Sequence, residues 1–398
     1  MERGMPSTGP LRIALLAPPM LPVPPVKYAG TERIVAQLAS ALHRRGHAVT
    51  VFAPGDSKVE SELVATTPRS LWSTGYRGDI ASYLNVTLAK AWELHHRFDV
   101  IHSHIETQGF LFARHCPTPV ISTLHGRLDG LGYPELIAEF SDIPLVAISA
   151  SQRRWFPDAN WVATIHHGLP LEESPFEPKP GDYLAFVGRV APEKGVSDAI
   201  ELARSTGLRL RMGAKVYDTV EQELFARVVE PAVADGVVEF LGELGPMERD
   251  ALLAGALATV MLGAWPEPFG LVAIESMATG TPVIARRAGA LPEIVEHGRT
   301  GFLVDDLGEA RLAVTRAATL DRSTVRQRAL TRFSVDRMVD QYEAAYRQVM
   351  AQRATTSVVI PPRRTVPVMA PTRRRAAVST ESNGHSVGSD RERATSSS

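Results

Sequence analysis

The stretch EPFGLVAIES places Glu267 and Glu275 eight positions apart, with Phe269, Gly270 and an apolar run between them. Eight residues is a poor helical repeat, so the two carboxylates do not form one solvated stripe. From Gly270 the run GLVAIESMATG reads as a helix with Leu271, Ile274 and Ala278 on its apolar face, closed by Gly280. Such a helix start offers free N–H groups and the positive end of a dipole to an anion. Gly270 has no side chain to obstruct phosphate. Glu275, in the second turn, stands within reach of hydroxyls beside that anion, and a carboxylate accepting from two neighbouring hydroxyls anchors a ribose or a sugar. On this fragment alone the plainer alternative stands equally: a half-buried helix glutamate with a local partner, and a loop carboxylate. A second candidate is FVGRVAPEKG, where Arg189 and Lys194 flank a proline turn after an apolar run. Two cations at a strand end suit a diphosphate, whose charge spreads over several oxygens. For an arginine and a lysine taken alone, solvated surface cations are the better reading.

These residues need elements to hold them. From Leu11 short apolar runs alternate with amphipathic stretches: LRIALLA, then TERIVAQLASALHRRG with Ile34, Leu38 and Leu42 at four-residue spacing and Gly46 as its stop, then AVTVFA. DVIHSH, PVISTLHG, LVAISAS and VATIHHG continue the series of strands. LEESPFEPKPGD is a linker by composition. Alternation then resumes with YLAFVG, LRLRMG, VVEFLG, ATVMLG, PVIARR and GFLV, with helices from Gly195, Asp218, Pro246 and Gly270. Strands alternating with helices mean parallel sheets covered on both faces. The expectation is an α/β protein of two Rossmann-like, doubly wound domains, 1–171 and 183–333, joined by a linker 172–182 and facing each other across a cleft. A helix, 334–352, packs back across the domains. Residues 353–398, rich in Ser, Thr, Pro and Arg, form a disordered basic tail. Ligands of such sheets bind beyond the carboxyl ends of the strands, which makes the cleft the default site.

Composition narrows the field. Apolar residues make up 44% and charged residues 22% of the 398 residues, a globular profile. A formal charge of -1 argues against nucleic acid as a bulk electrostatic partner. One cysteine, Cys116, excludes an intrachain disulfide and a cysteine metal cluster and fits a reducing compartment. No apolar run reaches the ~18 residues of a membrane helix, and the expected location is cytoplasmic.

The motifs E-P-F-G-L-x-x-x-E, S-M-A-x-G-T-P-V-I-A and G-x-x-P-E-I-V-x-x-G-x-T-G-F-L-V together resemble the signature of the family 4 retaining glycosyltransferases. G-R-V-x-P-E-K-G resembles their donor-phosphate loop, and Y-A-G-T-E-R-I-V with R-G-H-x-V-T-V-F-A resembles the bacterial members. The resemblance runs in order from residue 11 to about 350 and implies the GT-B architecture of two Rossmann-like domains around a cleft. It implies that Arg189 and Lys194 bind the donor diphosphate, that Glu275 binds the nucleotide ribose and that Glu267 lies by the donor sugar. Phe269, Gly270 and Leu271 would line the sugar and phosphate pocket, Leu244 the base, and Gly213 the donor. Ala29 and Gly30 correspond to the family's glycine-rich loop, with alanine in place of one glycine. His125 matches a histidine beside the reacting sugar. His102 and His104 read as mainly structural. HHGLP, at His166 to Pro170, departs from the asparagine-glycine turn common in the family.

The implied reaction is transfer of a hexosyl unit from a nucleoside-diphosphate sugar, a UDP-sugar before GDP-mannose, to a hydroxyl of a glycan, a lipid or a small metabolite. Configuration would be retained by a front-face route. No Asp-x-Asp motif occurs, so the expectation is no cofactor and no metal, with cationic side chains stabilising the leaving diphosphate. Peripheral contact with a membrane stays open. The rivals are an inactive sugar-nucleotide binder and a nicotinamide-dependent oxidoreductase. Against the latter, LAPPMLPVPP puts prolines where G-x-G-x-x-G would be needed.

Overall fold

The computed structural model describes residues 9–355 apart from Tyr28. Two parallel sheets organise them. The first comprises β1 (Arg12–Leu16), β2 (Ala48–Ala53), β3 (Glu62–Ala65), β4 (Val100–Ser103), β5 (Val120–Leu124), β6 (Leu145–Ala147) and β7 (Trp161–Thr164), in the spatial order β3-β2-β1-β4-β5-β6-β7. The second comprises β8 (Tyr183–Arg189), β9 (Arg209–Lys215), β10 (Val238–Gly242), β11 (Ala258–Met261), β12 (Val283–Arg286) and β13 (Gly301–Val304), in the order β10-β9-β8-β11-β12-β13. In both, the chain starts mid-sheet, winds outward and then jumps back past its first strand. This creates a switch point between β1 and β4 and another between β8 and β11.

Five helices matter for the site: α1 (Thr31–Arg44), α2 (Pro246–Ala254), α3 (Leu271–Ala278), α4 (Arg322–Arg332) and α5 (Val335–Thr355). In α1 the four-residue spacing buries Ile34, Leu38 and Leu42, and Gly46 ends the turn at a left-handed φ of 87°. All eight residues of α3 are buried, against α2 on one side and α4 on another. The apolar face expected for α3 is therefore a helix enclosed all round, with Glu275 and Ser276 inside. Ser276 is satisfied by Thr259 Oγ1 at 2.7 Å and the Thr281 carbonyl at 2.9 Å.

Three details differ from the sequence expectation. β3 is an additional edge strand paired with β2. The helices Leu307–Ala317 and α4 follow β13 where none was named. α5 runs through Thr355, three residues into the segment expected to be a tail; the remainder, from 356, lies outside the described residues. Within the linker, Arg322 Nε donates to the Glu177 carbonyl and Arg326 to those of Glu172 and Ser174. α5 crosses back to the first sheet, where fully buried Tyr342 and Tyr346 reach Thr123 and His102. Among the described residues no helix is long and apolar enough to cross a membrane.

Candidate active site

Arg189 is the last residue of β8, at the second switch point. After it the chain makes a short turn, Pro192–Lys194, and passes Gly195 at φ +70°. A Cβ on Gly195 would lie 2.5 Å from Leu262 C and Gly263 N, and one on Gly263 would lie 2.1 Å from the Glu193 carbonyl oxygen. Two glycines thus let the loop press backbone to backbone against the end of β11. That approach sets Lys194 Nζ 2.8 Å from Glu267 Oε2. The same oxygen accepts from Trp265 Nε1 at 3.0 Å, and the Lys194 ammonium lies 5.0 Å from the Trp265 ring centre. The loop before α3 therefore carries an ion pair braced by an indole. Gly270, at φ +100°, turns this loop into the start of α3.

A cavity of about 260 Å³ opens here, lined by Gly188, Arg189, Lys194, Trp265, Glu267, Gly270 and Leu271 among others. A second, of about 250 Å³, adjoins it and shares Val187, Gly188 and Arg189 with it. Its wall includes Ala29, Trp72, Gly213, Lys215, Tyr217, Glu243, Leu244 and Arg249. Gly213 admits Leu244, whose Cδ1 would stand 2.5 Å from a Cβ at that position. Arg189, in the shared wall, is fixed by the buried carboxylate of Glu221, which also accepts from the Tyr217 backbone N–H. The wall at the junction is thus cationic, beside a helix start, and suits a polyphosphate with one large group on each side.

Glu275 differs from the expectation. It is 3% exposed and lines neither cavity. Its Oε1 is held by Arg33 of α1 and, at 3.2 Å, by Arg249 of α2, while its buried Oε2 has no hydrogen-bond partner among the described residues. Arg249 does reach the second cavity. Phe269 also lines neither, packing instead with His166, His167 and Phe333 in the core. Gly30 caps α1 without touching a cavity wall; a Cβ there would lie 3.9 Å from Leu271 Cδ1, so the starts of α1 and α3 face each other.

The first half contributes a buried histidine group. His125 follows β5; its Nε2 is 2.9 Å from His104 Nδ1, its ring stacks on His167 at 5.2 Å, and its Nδ1 has no partner among the described residues. Burial pulls its pKa down to about 3, so the ring is neutral near pH 7. His102 and His104, also buried, are pushed well down by the same desolvation. His102 is tied to Tyr346 and Thr123, a structural position, whereas His104 touches His125 directly. Behind His125, Glu106 at the left-handed φ of 53° accepts from the N–H groups of His125 and Gly126, and burial raises its pKa to about 7.

His125 lines neither large cavity, but its neighbour Gly126 borders a small pocket that Glu267 also lines. Contacts from both halves enclose the site: Arg127 lies 4.4 Å from the Trp265 ring centre, Trp72 meets Tyr217 at 5.6 Å, and Ser149 Oγ donates to the Pro268 carbonyl at 2.8 Å. Glu293 accepts from the N–H groups of Ala150 and Ser151 and meets His166 at 3.2 Å. Sequence reasoning missed Arg33, Trp72, Glu221, Arg249 and Trp265. Of these only Trp265, two residues from Glu267, lay where a local signal could have been read. Among the described residues no group of three or more His, Cys, Asp or Glu side chains is placed to hold a metal ion.

Known proteins are similar to this chain in sequence and in fold. A family model described as Glycosyltransferase Family 4 matches residues 28–169, and one described as Glycosyl transferases group 1 matches residues 171–320. A phosphatidyl-myo-inositol mannosyltransferase of Mycobacterium leprae is 27% identical over 80% of this chain and 90% of its own. A D-inositol 3-phosphate glycosyltransferase of Saccharomonospora viridis is 28% identical over 88% and 97%. Among solved structures, AviGT4, a glycosyltransferase involved in avilamycin A biosynthesis, aligns over 86% of this chain and 98% of its own with a TM-score of 0.65 and 26% identity. Sucrose-phosphate synthase of Thermosynechococcus elongatus shares the fold with a TM-score of 0.69 over 86% and 99%, at 20% identity. With two sheets of matching order, a cationic junction at the second switch point and both halves matched in sequence, the chain belongs to the family 4 glycosyltransferases and has their GT-B fold.

Proposed function

We propose that this glycosyltransferase moves a hexosyl unit from a nucleoside-diphosphate sugar to a hydroxyl acceptor with retention at the anomeric carbon. A UDP-sugar is the first reading of the donor and GDP-mannose the second. One observation carries the proposal: two cavities of similar size meet at Arg189, with Lys194 and the start of α3 alongside. The diphosphate lies at that junction, the sugar in the cavity bounded by Glu267, and the nucleoside in the cavity bounded by Gly213 and Leu244. As the glycosidic bond to phosphate breaks, charge grows on the leaving oxygens. Arg189, Lys194 and the N–H groups following Gly270 stabilise it, the kind of preorganised help that dominates many enzymes. Glu267, held by Lys194 and Trp265, orients sugar hydroxyls. Glu275, which lines neither cavity, acts through Arg249, whose side chain it pairs with and which reaches the nucleoside cavity. Neutral His125 stands on the acceptor side.

No carboxylate is placed as a covalent nucleophile on the sugar in this scheme, so the acceptor attacks from the leaving group's face and its proton passes to the departing phosphate. Cationic side chains do the work of a metal. The structures of Anabaena HepE, described in complex with UDP and glucose and with UDP-glucose, share the fold, and a donor of that class is the one proposed here. Calorimetric titration with UDP-glucose, GDP-mannose and ADP-glucose tests the reading: one of them should bind with at least micromolar affinity, about -8 kcal/mol. Absence of heat with all three sinks it.

A further inference from the structure

Among the described residues Glu106 is the one non-glycine residue at a positive φ, 53°. Left-handed backbone costs glycine nothing sterically and is unfavourable for a glutamate. A side chain persists there only where its surroundings fix it. At Glu106 those surroundings are two backbone N–H groups: Oε1 accepts from His125 at 2.9 Å and from Gly126 at 3.1 Å. These belong to the two peptide groups that flank the His125 Cα.

The turn leaves the carboxyl end of β5, and side chains hold it from both sides. Glu106, which follows β4, takes its N–H groups. Gln152, which follows β6, donates Nε2 to the carbonyls of Leu124 and Gly126, each at 2.9 Å, while its Oε1 accepts from Ile148 N. β4 and β6 are the two neighbours of β5 in the sheet, so the clamp spans three strands. Ring and backbone are thus fixed separately: His104 and His167 hold the imidazole, and Glu106 holds the peptide groups around it.

We infer that Glu106 is a positioning residue for the proposed transfer: its carboxylate fixes the turn after β5 and so sets where His125 stands, with Gly126 beside the pocket that Glu267 shares. The inference rests on the reaction proposed above. A carboxylate oxygen is a strong acceptor and can take two N–H groups at once. Burial raises the Glu106 carboxyl to about 7, and the hydrogen bonds from His125 and Gly126 oppose that rise. Its Oε2 is buried without a partner among the described residues, so the hydrogen bonds of this carboxylate all go to the turn.

Amide hydrogen exchange and donor hydrolysis test this on the full-length protein near pH 8, where the carboxyl is ionised. Hydrolysis of UDP-glucose, or of GDP-mannose where titration shows that donor, lets water stand in for the acceptor. In the wild type the His125 and Gly126 amides should exchange as slowly as those inside β5. Glu106→Gly and Glu106→Asn both suit the left-handed backbone but do not reach the turn. Each should speed exchange of the two amides and lower kcat, both by at least about tenfold, with donor Kd unchanged. Glu106→Gln keeps an acceptor oxygen in place and should recover most of both losses. Fast exchange of the two amides in the wild type overturns the inference. So does wild-type kcat in either short variant, a donor Kd that rises in step with the fall in kcat, or a Gln variant as impaired as the Gly one. If no donor binds, the transfer reaction falls and the catalytic half of the inference falls with it, while exchange at His125 and Gly126 still decides whether Glu106 holds the turn.

Discussion

The two halves repeat one strand order and use it for opposite electrostatics. At the switch point of the second sheet, charges crowd together in the open: Arg189, Lys194 and Glu267 line one cavity wall. At the corresponding strand ends of the first sheet, His102, His104 and His125 are held neutral by burial, within contact of one another. Topology is therefore indifferent to the job done at its switch point. What differs is solvent: the second half leaves its strand ends open to a ligand, and the first closes them under α5 and the His167 turn. Function resides in the grafted residues, and the fold supplies only the address.

The contrast can be attacked from its charged side first. Lys194→Ala should lower kcat/KM by at least about 100-fold, the scale of one strong transition-state contact, and Glu275→Ala should also lower it, by shifting Arg249 at the wall of the second cavity. Lys194→Ala should do so with a near-native melting temperature, whereas Glu275→Ala also removes the buried carboxylate that Arg33 and Arg249 share and should melt earlier. Wild-type rates in either variant would take that residue out of the site. The neutral side is tested by pH. His102, His104, His125 and His167 have folded-state pKa values below their unfolded ones, so below about pH 6.5 the unfolded chain binds more protons and stability falls. Buried Glu32 and Glu106, raised to about 7, act in the opposite sense, losing stability as pH rises from about 4.5 to 7. Four imidazoles outweigh two carboxyls. Melting scans should therefore drop by about 5 °C or more between pH 7 and 5, and a flat profile would show that the histidines are already solvated. The smallest effect sharpens the claim that side-chain cations suffice: EDTA should leave turnover unchanged, and loss of activity restored by magnesium would contradict it.

Much of this was legible in the amino-acid order, for a physical reason. The GRVAPEKG loop and the EPFGLVAIES turn each carry their chemistry within a few residues, so local spacing exposes it. Gly195 and Gly270 marked helix starts, and each stands, at positive φ, immediately before a helix. The partners of Glu275 were not legible, because Arg33 lies 242 positions away and meets it only once both halves are assembled. The same holds for Trp72 against Tyr217 and Arg127 against Trp265. β3 escaped because four residues at a sheet edge, none of them fully buried, carry no clear alternation. α4, RSTVRQRALTR, escaped because only Val325, Ala329 and Leu330 of its residues are apolar; its arginines act as donors to the linker and to neighbouring carbonyls instead of as a solvated stripe. Glu267 and Lys194 were both named from the sequence, but their ion pair and the indole clamped between Lys194 and Arg127 came only with the third dimension.

α5 also sets an order of events during synthesis. Its Tyr342 and Tyr346 complete the packing beneath strands that the ribosome made more than two hundred residues earlier. The first half therefore emerges with an uncovered apolar flank and keeps it until α5 has left the exit tunnel. Each sheet can form in its turn, but the earlier one is finished last, and only then can His102 be walled off from water.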